Sequence, residues 1–122
     1  MRYMLLIHQG DTPTPSDQEA WSKVSEDEQK AIVADYQAIN QTPGVIPGVW
    51  MQPPEMATTV RVRDGQTLTT DGPFVAVKEA LGGYLVYEAE DLDAAIALAA
   101  RIPAARLGGA IEVRPVVEYG AG

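Results

Sequence analysis

Hydrophobic positions along this chain fall into two periods, and those periods predict its elements. Arg2–His8 has the residue types of a strand, and both of its faces, Tyr3/Leu5/Ile7 and Met4/Leu6/His8, are apolar up to the last residue. A strand with one wet face alternates with polar residues, so this one is expected to be covered on both sides. Gly10, Pro13 and Pro15 make 9–16 a loop. Ser16 with Glu19, and Ser25 with Glu28, have the spacing of helix-opening capping boxes. In the longer helix that follows Ser25, Ile32, Tyr36 and Ile39 share one face, and Thr42-Pro43-Gly44 stops it. Residues 45–51 suit a short strand, with Pro47 and Gly48 marking an edge or a bulge.

Alternation on either side of Asp64-Gly65 predicts a hairpin of 58–63 with 66–69. Asp71-Gly72-Pro73-Phe74 then has the chemistry of a turn. Residues 80–88 form the next strand, where Leu85/Tyr87 and Tyr84/Val86 again make both faces apolar. Gly82-Gly83 leaves room there for a backbone or a ligand to approach closely. Asp91 is placed to cap a second helix with Leu92, Ala95, Ile96 and Ala99 turned inward and Pro103 at its end. A turn over 104–109 holds Arg106, and 110–118 is the last strand.

The order β, α, β, hairpin, β, α, β is that of an α+β, ferredoxin-like antiparallel sheet with an inserted β-hairpin. Helices cover one sheet face. A second copy packed against the other face, as a homodimer, is the simplest cover for it. On that expectation, glutamate at Leu85 or Tyr87 breaks the dimer. The whole of 1–119 is expected to be one domain, with 120–122 a frayed tail.

Composition narrows the function. Nine Lys and Arg stand against 17 Asp and Glu, a formal charge of −8. That charge repels phosphate backbones and anionic lipid, so neither nucleic acid nor a membrane is an expected partner. The chain has no cysteine, which removes disulfides, thiolate nucleophiles and Cys-based zinc sites. One histidine rules out a multi-histidine metal site within a single chain. Neither glycine pair has a nucleotide-loop spacing, no Ser sits in a GxSxG elbow, and no cofactor is expected. The opening apolar run is too short for a signal peptide or a membrane span, so a cytoplasmic location is expected.

The run Thr70-Asp71-Gly72-Pro73-Phe74, with Lys78-Glu79 and Leu81-Gly82-Gly83-Tyr84 after it, resembles the DGPF-type branch of the YCII-related proteins. The opening strand, Gln52-Pro53-Pro54 with 57–61, and 103–115 are similar to that family as well. The resemblance spans nearly the whole chain and implies a dimeric α+β barrel. It also implies, through distant relatives that resemble lactone dehalogenases, a His/Asp pair in a cleft at the dimer interface. Gene neighbourhoods of the branch, beside sigma factors, imply a regulatory context. Ala76 stands where the family commonly has an acid, so an acid–base role at that position is lost here.

Within that frame His8 is the candidate base, because imidazole titrates near neutrality, and Asp71 is the candidate carboxylate to orient it. The structural alternative gives His8 a strand-end hydrogen bond and spends Asp71 on its own turn. Lys78 and Glu79 can pair with each other or with Arg106, leaving Arg106 to hold a ligand carboxylate, or they can be a solvated surface pair. Trp50, Phe74 and Tyr84, with Tyr3, can wall an apolar pocket for a small ring or lactone, or fill the core and the dimer seam. Three functions stay open: a lyase- or dehalogenase-like enzyme, a ligand-binding module without turnover, and a protein-interaction accessory.

Overall fold

The computed structural model describes residues 1–10, 12–13, 17–52, 54–72 and 81–118. Strands β1 (Arg2–His8), β2 (Val45–Ile46), β5 (Leu81–Glu88) and β6 (Ala110–Pro115) form one antiparallel sheet in the order β2-β5-β1-β6. Strands β3 (Thr58–Arg63) and β4 (Gln66–Asp71) form a separate two-stranded sheet. The helices are α1 (Gln18–Ser22), α2 (Glu26–Asn40), α3 (Leu92–Ala99) and α4 (Pro103–Arg106). With the hairpin set aside, the first and third strands lie at the centre and the second and fourth at the edges. This is the ferredoxin-like α+β arrangement. Among the described residues no helix is long and apolar enough to cross a membrane.

Strand β1 organises the sheet because it pairs on both sides. Leu5 faces Leu85 on β5 and Val113 on β6, and Ile7 faces Gly83 and Ile111. Directly paired residues share a sheet face, so Tyr3, Leu5, Ile7, Leu85 and Tyr87 all look the same way. That face meets Ile39 of α2, Ala95, Leu98 and Ala99 of α3, and Ile102 and Ala104 around α4. The opposite face carries Met4, Leu6, His8, Tyr84, Val86, Glu112 and Arg114, and none of these residues is buried.

That division corrects one expectation. Leu85 and Tyr87 belong to the helix-covered core, so glutamate there attacks the fold itself. The residues of β5 on the face turned away from the helices are Tyr84 and Val86.

Local chemistry explains the element ends. The Ser25 hydroxyl accepts from Glu28 N at 3.2 Å and opens α2. Asp17, two residues before Glu19, caps α1 by accepting from Ala20 N; Ser16 lies outside the described residues. Asp91 caps α3 as its sequence suggests. The buried residues of α3 are Ala95, Leu98 and Ala99, whereas Leu92 and Ile96 are about half exposed, at 48% and 50%. The helix is therefore turned from its expected setting, with the large Leu98 taking the inward place given to Ile96. Pro103 does not merely end it: its fixed φ opens α4, where a turn was expected.

The hairpin is as the Asp64-Gly65 pattern predicts, both residues having positive φ, and β4 runs on to Asp71. Only two residues of 45–51 form a strand. Trp50 adds an isolated bridge to Gly83, and between them Gly48 lies so close to β5 that a Cβ would collide with the Tyr84 carbonyl. Residues 48–50 are thereby pressed along the free edge of β5.

Candidate functional site

His8 sits where β1 ends, at a register irregularity between Ile7 and His8. Across the β1–β6 pair its cross-strand neighbour is Ala110, and Glu112 lies one step along on the same face. The His8 Nε2 atom is 3.3 Å from Glu112 Oε1. The other carboxylate oxygen of Glu112 accepts from Arg114, two residues on. Arg114 first and His8 second hold the Glu112 carboxyl below the usual carboxylate range. An imidazole, a carboxylate and a guanidinium thus form a chain on a face that otherwise offers Met4, Leu6, Tyr84 and Val86. Such a carboxylate can fix the ring's orientation and stabilise the imidazolium if the ring takes up a proton.

Asp71 is not part of that chain. It closes β4 opposite Thr58, in the separate hairpin sheet, and its exposed carboxylate has no hydrogen-bond partner among the described residues. The turn after it is held by others: Gly72, at φ 100°, donates to Ala57 O at 2.7 Å, and Thr59 Oγ1 donates to Gly72 O at 2.7 Å. His8 and Asp71 therefore share no hydrogen bond within one chain.

Arg106 is also committed elsewhere. Its two terminal nitrogens reach Glu28 at 3.1 Å and Asp35 at 3.0 Å, tying α4 to α2 on the helical side of the sheet. A guanidinium held by two carboxylates in this way is a tether between helices rather than an anchor for a ligand's charge. Phe74, Lys78 and Glu79 lie outside the described residues.

Trp50 and Tyr84 do line one cavity. Its volume is about 100 Å³, and Ile7, Tyr36, Asn40 and Val49 complete most of its wall. The Trp50 ring meets Tyr36 edge-on, with centroids 4.7 Å apart at 89°. Burial, more than any neighbouring charge, pushes the Tyr36 phenol up, so it stays neutral there. Ligand pockets commonly measure about 300–1,000 Å³; this space admits only a small group. Tyr3, by contrast, is buried in the core.

Two residues that sequence reasoning missed stand beside His8. Glu112 was legible in principle: Ile111 and Val113 alternate with Glu112 and Arg114, and the ferredoxin-like order sets the last strand next to the first. The second is Gln9, whose amide nitrogen and oxygen are both buried without a hydrogen-bond partner among the described residues. Its side chain rests on Gly82, which explains one of the two close glycines. Among the described residues no three His, Asp or Glu side chains are grouped so as to hold a metal ion.

Comparison with known proteins gives the family and no activity. An uncharacterised protein of Rhizobium meliloti (strain 1021) is 30% identical over 124 residues, covering 98% of this chain and 94% of that protein. The family described as the YCII-related domain matches residues 1–119, almost the full length. With its ferredoxin-like sheet and near-complete match, the chain belongs to the YCII-related domain family.

Proposed function

We propose that this protein acts on a small molecule at the sheet face turned away from the helices, with His8 as the proton-transferring group and Glu112 as the carboxylate that orients it. The observation that carries this is the 3.3 Å approach of His8 Nε2 to Glu112 Oε1 on a face where no residue is buried. Imidazole is the one side chain whose ordinary titration falls near neutrality. The chemistry is lyase- or dehalogenase-like. His8 takes a proton from the carbon beside a carbon–halogen bond, the freed pair forms the double bond, and halide leaves. Asp71, proposed from sequence as the orienting carboxylate, is unpartnered among the described residues, and in this reading Glu112 takes that role. The working form is a cytoplasmic homodimer in which a second copy covers the face that holds His8.

The test is halide release from a chlorinated butenolide, followed for the wild type and for His8→Gln. Release by the wild type with a loss of about 10²–10⁴-fold in the variant supports the proposal. No release by the wild type, or equal release by both, defeats it for this substrate class.

A second function, binding without turnover, is favoured by the cavity under Trp50. There a small ligand that shifts the Trp50 and Tyr36 resonances equally in the wild type and in His8→Gln is the expected result.

A further inference from the structure

Two polar side chains that line the cavity under Trp50 have hydrogen-bonding capacity to spare. Tyr36 and Asn40 stand four residues apart on α2, so they leave the helix on one face, and both reach the cavity. Among the described residues, neither the Tyr36 hydroxyl nor the Asn40 amide has a hydrogen-bond partner. Burial keeps the phenol neutral, so its proton is there to be donated.

The facing wall is held in place. Met51 N donates to Gly82 O at 2.8 Å, and Trp50 bridges to Gly83. The indole lies on the bare backbone of Gly83, where a Cβ would stand 3.1 Å from Cε3. That support and the edge-on contact with Tyr36 fix the ring, although Trp50 is 49% exposed. A large aromatic side chain is mostly buried as a rule; a half-exposed one, fastened through its backbone, makes a wall for a visitor.

Charge and size define that visitor. None of the described residues lining the cavity is charged. The two charges that bear on the Tyr36 phenol, Arg106 and Asp35, are paired with each other at 3.0 Å. A charged ligand would give up its water and find no counter-ion, whereas an uncharged one with an acceptor oxygen gains the Tyr36 hydrogen bond. An apolar cavity of about 150 Å³ takes benzene; at about 100 Å³ this one suits a five-membered ring.

We propose that this cavity binds a small uncharged ring bearing a carbonyl oxygen, which accepts a hydrogen bond from Tyr36 while the ring lies beside Trp50. The proposal rests on the second reading above, that a small ligand binds here without turnover, and adds the chemical class of that ligand.

The chain has two tryptophans, so the Trp50 indole N–H resonance reports on the cavity and that of Trp21 serves as control. Cyclopentanone, benzene and the pyrrolidinium ion are titrated into the wild type and Tyr36→Phe, a variant that keeps the ring. Cyclopentanone is expected to shift Trp50 and not Trp21, and to bind about 2–10-fold more weakly to Tyr36→Phe. Benzene should bind the two proteins alike, and pyrrolidinium neither. In the wild type, cyclopentanone but not benzene should slow exchange of the Tyr36 hydroxyl proton enough to make it visible. An equal loss for benzene and cyclopentanone in Tyr36→Phe, or a hydroxyl proton unmoved by the ketone, overturns the hydrogen bond. Binding of benzene without cyclopentanone overturns the carbonyl class and leaves the binding reading standing. Pyrrolidinium binding as tightly as cyclopentanone overturns the uncharged class. No shift of Trp50 by any of the three, or ketone binding that disappears in His8→Gln, overturns both the class and the reading beneath it.

Discussion

The side chain of Gln9 lies against the backbone of Gly82 so closely that a Cβ on Gly82 would stand 2.8 Å from the amide nitrogen and collide with Cγ. The same amide has both polar atoms buried and, among the described residues, unpaired. A buried amide without partners costs folding about 1–3 kcal/mol, and methionine has nearly the same length with no such atoms. Gln9→Met is therefore expected to stabilise the protein by about 1 kcal/mol, seen as a higher urea midpoint. Gly82→Ala, whose Cβ must displace the Gln9 side chain, is expected to lower it by about 1–3 kcal/mol. A lowered midpoint for Gln9→Met means that the amide has a partner this packing does not supply.

Glu112 gives a pH dependence with a definite sign. Its carboxyl is lowered in the folded state from an ordinary value of 4.5, by Arg114 above all and by His8 after it. A lowered carboxyl contributes stability that is full above 4.5 and lost as pH falls through its folded value. Followed by carbon NMR, the Glu112 midpoint should rise in both Arg114→Ala and His8→Gln, and more in the former. A larger rise in His8→Gln means that the imidazole, not the guanidinium, governs the carboxylate.

Arg106 separates a tether from a ligand anchor. Arg106→Ala removes its pairs with Glu28 and Asp35 and leaves two like charges on α2. Exposed pairs are screened by water and are each worth about 0.2–1 kcal/mol, so the melting temperature should fall by a few degrees. Halide release by the folded variant should be unchanged. A lost reaction with unchanged melting returns Arg106 to the site.

Asp71 and Leu85 stand at opposite ends of a stability scale. Asp71 is exposed and unpaired among the described residues, so Asp71→Asn should change stability by less than about 0.5 kcal/mol. Leu85 is 3% exposed in the main core, and Leu85→Ala should cost about 2–5 kcal/mol. Comparable losses in denaturant would place Asp71 in an ionic contact made only in the assembled protein.

The fold was legible because its signals are local and redundant. Ser25, Asp91, the Asp64-Gly65 turn and the doubly apolar β1 each fix an element without reference to any other. The facing of α3 was less so, because Ala94, Ala95, Ile96, Ala97, Leu98 and Ala99 are apolar all round and periodicity cannot choose a side. Half of the proposed site was visible. His8 stood out as the sole imidazole, but the sequence held several carboxylates that can reach it, and only strand order selects Glu112. Asp71 drew attention as part of a family motif, and the strand it closes belongs to another sheet. Arg106 was read by its charge alone, without the helix-borne acids Glu28 and Asp35 that meet it.

The segment pressed onto β5 at Gly48 and Trp50 bears on how this protein can accumulate. A sheet grows into filaments strand by strand through an edge that is long, regular and uncharged. Here one side offers a two-residue β2 followed at once by Pro47 and a stretch already fastened to its neighbour. The other offers β6, which ends in Pro115 after Glu112 and Arg114. Neither margin can template another strand for long. Polymerisation by stacking edges is blocked on both sides, and at the high concentrations of a cell the sheet itself should remain at four strands.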